Sequence, residues 1–443
     1  MRSLEEAHGS QIELQELQAR TQDRDHEGGP PQELKPVDGG RDAWTMLIAS
    51  LVFEALFWGF PMCFGVFQNY YSNLPEFSND KANIALIGTL AQGIPYVGAP
   101  FSALVTKRFP KYHRLQLYIG WPMSILGLLT ASFATSVNGL IGTQGVLYGV
   151  GFVTLTYPII SMINEWWVAR KGMAFGLISA SSGVTGAFLP FVIESLLHKY
   201  GYQITLRACA VAMVILTAPL MPLLRARLPA SERAALARAD WAFLKRPLFW
   251  VYGMAILFYG LGFFYPVVFL PSYAASIGIT SINGAMLVAV MSVAQVLGQF
   301  AFGYLSDKNL SVSFLAIICC VAASVASLTL WGLANSIVLL ALFSLIYGFF
   351  GYGFSTMRVA MGRAVSDDPS TIFSTYAIYI FFQGIGILTV SPISAVLNST
   401  SSQLGSYAAG QYGGIVVLTS SSWVLSGTII VMWHSYQRLL KLD

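Results

Sequence analysis

From residue 43 almost to its end, this chain repeats runs of about twenty apolar residues with short polar breaks between them. A helix needs about 20 mostly apolar residues to cross the hydrocarbon core of a bilayer. Twelve stretches satisfy that length: 43–69, 83–106, 115–135, 139–163, 172–197 and 204–224, then 247–275, 283–305, 312–333, 336–360, 371–397 and 412–436. The lengths imply lipid as the solvent, and the composition agrees. Of 443 residues, 55% are hydrophobic and 10% charged, where a soluble domain carries about 25% charge. Within lipid each backbone polar group must be satisfied by the chain itself, and a helix does this locally. The expectation is an all-α membrane protein of twelve transmembrane helices.

The only long polar break, RARLPASERAALARADWAFLKR at 225–246, separates six spans from six. Lysine and arginine collect on one side: Lys107, Arg108, Lys111, Arg114, Arg170 and Lys171, the arginines and lysine of 225–246, then Lys308, Arg363, Arg438 and Lys441. The positive-inside rule makes that side cytoplasmic, which puts both termini inside. Residues 1–42 hold ten of the chain's 21 acids and the helix-breaking Gly28-Gly29-Pro30-Pro31. They read as a disordered cytoplasmic tail, with a short amphipathic turn around Ile12–Leu17. The expected organisation is therefore the tail, an N-terminal six-helix bundle over 43–224, a cytoplasmic linker over 225–246, and a C-terminal six-helix bundle with a short tail over 247–443. Asn398-Ser399-Thr400 is a glycosylation sequon on the expected outer side.

Two six-helix halves with a central loop point to a secondary transporter, whose substrate site lies near the midplane where the halves meet. Other classes find less support. There is no phosphate-binding GxxxxGK[ST] sequence and no carbonyl-lined filter loop. No basic block of nucleic-acid character occurs. Cys63, Cys209, Cys319 and Cys320 sit inside apolar runs, which suits neither a disulfide framework nor a metal cluster. No cofactor and no enzymatic centre are expected. The five histidines (His8, His26, His113, His198 and His434) lie in the tail, in loops or near span ends.

Four stretches resemble the monocarboxylate-transporter-like (monocarboxylate porter) branch of the major facilitator superfamily, especially its fungal members. DGGRDAW at 38–44 looks like that branch's motif before the first span, with one extra residue and without the aromatic after the glycines. NEWWVARKGMAFGLISASSGVTGAF at 164–188 is similar to its fifth-helix motif, and FFYPVVFLPSYAASIG at 263–278 to the fungal seventh span. GYLSDK at 303–308 matches the loop motif after the eighth span. The equivalent first-half loop, 98–114, keeps the basic residues and lacks the acid. The resemblance implies the major facilitator fold and alternating-access transport. It makes Arg170, Lys171, Asp307 and Lys308 candidates for gating contacts, beside their plain roles as topology anchors and loop caps.

Proton-coupled carriers of this branch use a lysine late in the first span and an aspartate–arginine pair in the eighth. Aligned on Phe60-Pro61 and on Gly303, those positions are Met62, Gln295 and Gln299, so all three charges are missing. Gln295 and Gln299 share a helix face that must look away from lipid. Either they line a cavity or they pin the eighth span to its neighbours. Met62, Tyr259 and Phe263 join them as expected cavity residues, and Gly260, Gly262, Pro266 and Pro271 interrupt the seventh span. In the fifth, Gly172, Gly176, Gly183 and Gly186 form a small-residue stripe that lets helices approach closely.

Few ionisable groups remain within the spans. Glu54 lies near the middle of the first. A charge there costs at least about 2.5–3.5 kcal/mol on insertion scales, which makes it a functional candidate. Glu54 is the proton-coupling candidate; the alternative is a protonated, hydrogen-bonded side chain. Arg358 reads as lying near the inner end of the tenth span, where snorkelling suffices, and is a gating or substrate-contact candidate. The expected function is alternating-access transport of a small organic molecule across the plasma membrane, with efflux of a secondary metabolite favoured. Proton-coupled uptake of a monocarboxylate or vitamin-like organic anion is the runner-up, and a non-transporting nutrient sensor the third reading.

Overall fold

The computed structural model describes residues 35–229, 241–308, 310–389, 393, 397, 407–410 and 412–439. Among the described residues all regular structure is helical, as a chain surrounded by hydrocarbon requires. The main elements are α1 (Gly40–Met62), α2 (Phe64–Ser72), α3 (Lys81–Val97), α4 (Ala99–Arg108), α5 (His113–Ala131) and α6 (Tyr148–Trp166). A π-helical segment, Ile141–Leu147, leads into α6. Next come α7 (Lys171–Thr217), α8 (Pro247–Phe263), α9 (Tyr265–Ser276), α10 (Ser281–Leu305) and α11 (Val312–Ala326). The last four are α12 (Ile337–Thr356), α13 (Arg358–Val365), α14 (Pro369–Leu388) and α15 (Gly413–Leu439).

Nine of the described helices are long and apolar enough to cross a membrane, by length and composition. The longest covers 53 residues, Lys171–Leu223. A straight helix of that length would measure about 80 Å, more than twice the hydrocarbon thickness. It is broken instead at Gly201, with φ 76° and ψ 172°, a conformation that glycine adopts without steric cost. The break falls between the spans expected at 172–197 and 204–224. The span expected at 83–106 is likewise interrupted, at Gly98, between α3 and α4.

Among the described residues regular structure starts at Gly40, slightly before the expected boundary at 43. Most of the expected tail, residues 230–240 of the linker, and the sequon at Asn398 lie outside the described residues. Two hydrophobic clusters form. One gathers buried residues between Ala43 and Leu224 together with part of α13 and α14. The other gathers residues from Phe243 to Ile430. Where the first and second parts of the chain meet, α7 packs along α10, and α14 packs against α3 and α4. Many large apolar side chains face outward, among them Phe133, Ile215 and Met432, each 65% exposed. A continuous apolar exterior of this kind belongs in lipid.

Two helix breaks rest on the same chemistry. Proline has no N–H, so it frees the carbonyl four residues earlier. Pro61 thereby frees Phe57 O, and the Tyr148 hydroxyl donates to that oxygen at 2.6 Å. Gln92 Nε2 donates to Pro61 O at 2.8 Å where α1 ends. In the second part, Pro266 frees Gly262 O. The Tyr347 hydroxyl donates to Gly262 O at 3.3 Å and to Phe263 O at 3.1 Å. Each freed carbonyl is thus satisfied by a tyrosine from a neighbouring helix. That is how broken helices persist at membrane depth.

Candidate functional site

The helix breaks surround a central cavity. Pro61 and the turn at Cys63 bend α1, which brings Glu54, Trp58 and Met62 to its wall. The break at Phe264 brings Phe263 and Phe264, and the turn at Met357 between α12 and α13 brings Tyr352, Ser355 and Arg358. Gln295 and Gln299 arrive from α10, Ser179 and Ser182 from α7, and Tyr376 and Gln383 from α14. Tyr96 and Gln92 on α3 and Tyr157 on α6 complete the aromatic and amide lining.

Four of the five expected cavity residues therefore share one wall or another of this space: Gln295, Gln299, Met62 and Phe263. Tyr259 does not. It is fully buried behind Phe263, with ring centroids 4.8 Å apart, and packs on Phe354 and Trp423. The two glutamines are 3% and 4% exposed. Gln295 Nε2 donates to Gln299 Oε1 at 3.3 Å, and Gln299 Nε2 lies 3.5 Å from Ser355 Oγ. They both line the cavity and tie α10 to α12.

Charge enters the cavity from two directions. Glu54 is half-buried on α1, four residues before Trp58 and so on the same face. Trp58 and Arg358 line the same cavity as Glu54. Arg358 does not sit at the inner end of its span as the sequence suggests. Helix α12 stops at Thr356, and the turn at Met357 redirects the chain so that Arg358 faces the cavity at 8% exposure. Its Nη1 donates to Gln383 Oε1. The guanidinium lies over the Tyr376 ring, 5.7 Å from the centroid. Its Nε is buried with no acceptor. Glu54 and Arg358 form no ion pair among the described contacts.

Below the cavity, at the end carrying the Lys/Arg-rich loops, the two parts of the chain are clamped together. A β-carbon at Gly172 would stand 2.2 Å from Ser306 Oγ and 2.4 Å from Gly303 O. At Gly176 it would stand 2.7 Å from Gln299 O, at Gly183 3.0 Å from Val296 Cγ2, and at Gly186 no nearer than 3.6 Å to any atom. The helices α7 and α10 thus touch backbone to backbone at this end and part towards the other. This backbone contact seals α7 against α10 on the Lys/Arg-rich side.

Two carboxylates hold the start of α7 at that seal. The first N–H groups of a helix lack intrahelical acceptors and attract negative charge. Asp307 accepts from Gly172 N at 2.8 Å and Met173 N at 2.7 Å, and pairs with Arg363 at 2.5 Å. Asp38 accepts from Val168 N, Ala169 N and Arg170 N at 2.8–3.0 Å. Of the gating candidates, Asp307 is thus in the seal through its own carboxylate. Arg170 contributes its backbone N–H, Lys171 is buried beside it, and Lys308 turns away over the Tyr304 ring at 4.7 Å. Asp38 and Arg363 were not among the expected site residues. Their sequence signals were the DGG motif and a basic residue in the loop after span ten. Their partners lie at least 56 residues away in sequence.

Comparison with known proteins adds the relationship. A family model described as Major Facilitator Superfamily matches residues 46–391. The chain is 24% identical over 412 residues to the MFS transporter asaE of Aspergillus flavus, covering 92% of each chain. It is 25% identical to the fujikurins efflux protein of Gibberella fujikuroi, covering 94% of this chain and 87% of that one. It is also 25% identical to monocarboxylate transporter 12-B of Danio rerio, covering 90% and 89%. Among solved structures, FucP in its outward conformation superposes with a TM-score of 0.63 at 14% identity, over 88% of this chain and 99% of that one. At that identity the superposition speaks for the fold alone.

Proposed function

Because the chain belongs to the Major Facilitator Superfamily and is a multi-pass membrane transporter, we propose that it exports a bulky organic metabolite by alternating access. The observation that carries this reading is the central cavity. It combines aromatic walls with amide and hydroxyl groups, the mixture of apolar lining and a few polar anchors that ligand sites use. Its lining suits a partly apolar compound better than a small hydrophilic acid. The likeness to a protein named for fujikurin efflux supports the direction. The proposed location is the plasma membrane, with the Lys/Arg-rich loops in the cytoplasm and the 43–224 and 247–443 halves rocking about the cavity.

In this reading Glu54 carries the coupling proton, and Asp307, Asp38 and Arg363 stabilise the state closed to the cytoplasm. The test is disruption of the gene followed by metabolite profiling. Export predicts that one organic compound builds up inside the cells, falls in the medium, and becomes more toxic to the disrupted strain. Growth lost on an external organic acid, with no retained compound, would instead select uptake. That second reading is favoured by one observation, the cation Arg358 in the cavity wall.

A further inference from the structure

The cavity wall contains a cation whose hydrogen-bonding capacity the protein leaves partly unfilled. A guanidinium offers five N–H donors in a planar fork. Around Arg358 the protein supplies one neutral acceptor, Gln383 Oε1, and the face of Tyr376. Arg358 is 8% exposed, and its Nε has no acceptor. A charge removed from water without a paired counter-charge is strongly unfavourable, and an unfilled buried donor adds to that. The acid that lines the same cavity, Glu54, belongs to the other half of the chain and makes no ion pair with it among the described contacts. Gln383 holds the guanidinium in place but brings no charge.

From this arrangement we infer that Arg358 is the receptor for an acidic group on the cargo, and that the cargo is therefore an organic acid with an extended, partly aromatic body. The inference rests on the transport reading and narrows its substrate class. A planar guanidinium matches a carboxylate or similar delocalised anion in two-point contact. Trp58, Tyr96, Phe263 and Tyr352 line the same cavity and offer aromatic surface for the body. Gln295 and Gln299 provide amide groups for further polar atoms. Gln383 is a positioning residue, since it fixes Nη1.

The test uses the purified full-length protein and two probes of the same shape, 2-naphthoate and 2-naphthamide, in titration calorimetry. Wild type is expected to bind the carboxylate at least tenfold more tightly than the amide. Arg358→Gln removes that preference, and Arg358→Lys keeps part of it. The double variant Glu54→Gln/Arg358→Gln separates receptor from simple counter-charge. A receptor role predicts that the double variant stays as weak as Arg358→Gln. Recovery of carboxylate binding in the double variant would overturn the inference, because Arg358 would then only balance Glu54. Equal binding of acid and amide by wild type, or no binding of the acid at millimolar concentration, would overturn it as well. The wild-type comparison decides the matter even if the arginine variants fail to fold. Failure here leaves the export reading standing, because retention of a compound in the disrupted strain is measured without these probes.

Discussion

The parts of the chain before and after the central linker solve one backbone problem identically and then carry different chemistry. In each, a proline in the first broken span frees a carbonyl, and a tyrosine answers it: Tyr148 to Phe57 O, Tyr347 to Gly262 O. The charges are not repeated. The first part brings the acid Glu54 to the cavity and the second brings the cation Arg358. After its second span the first part has Lys107 and Arg108 without an acid. The corresponding loop of the second has Asp307, which reaches across to α7. A repeated feature answers a demand that both parts share, namely satisfying backbone in hydrocarbon. An unrepeated one answers the task of the pair, which needs different groups facing each other.

The largest expected effect tests the contact both parts share. Gly303→Val would place its β-carbon 2.5 Å from Gly172 O and 2.8 Å from Gly176 Cα, backbone atoms that cannot turn aside. Transport measured in vesicles should fall to background while the protein still reaches the membrane; transport within twofold of wild type would show that the seal is not needed. Next comes the unrepeated acid. Glu54→Gln should abolish transport driven by a pH gradient and leave counterflow exchange intact. Unchanged gradient-driven transport would remove Glu54 as the proton carrier.

Asp307→Asn keeps the side-chain shape but loses the charge facing Arg363 and the α7 N-terminus. Charge-assisted hydrogen bonds contribute about 1.5–3 kcal/mol, and about 1.4 kcal/mol is a factor of ten. Transport should drop about tenfold, and Arg363→Gln should match it, since both break one pair. A smaller effect is expected at the cavity wall. Gln295→Ala or Gln299→Ala should raise half-saturation about three- to fivefold, with the maximal rate nearly kept, consistent with about 1 kcal/mol per neutral hydrogen bond. The repeated tyrosines come last. Tyr148→Phe and Tyr347→Phe should each lower stability by roughly 0.6–1.7 kcal/mol, the range for hydrogen bonds between membrane helices, with little change in transport. Unequal losses in thermal-unfolding measurements would break the equivalence of the two parts.

Much of this was legible in the sequence because lipid imposes short-range rules. Apolar run length fixes where a helix can cross, and Gly201 sits where one expected span ends and the next begins. The four-residue spacing of Gln295 and Gln299 puts them on one inward face. The glycines of 172–186 announce a close approach, though not the partner. Arg358 was misplaced because its distance along the chain from the last apolar run suggested an inner end, whereas the turn at Met357 folds it into the cavity. Tyr259 fits the aromatic pattern of its helix, yet α12 and α15 cover it.

By itself, then, the sequence determined the solvent, the helical class and the kinship, all of which depend on composition and on spacing within one helix. The tertiary structure alone decided which residues face one another: Asp307 with the start of α7, Asp38 with the loop before it, and Glu54 and Arg358 across one cavity. Those juxtapositions join residues dozens to hundreds of positions apart. They depend on how helices pack and where they break, and no local periodicity encodes that.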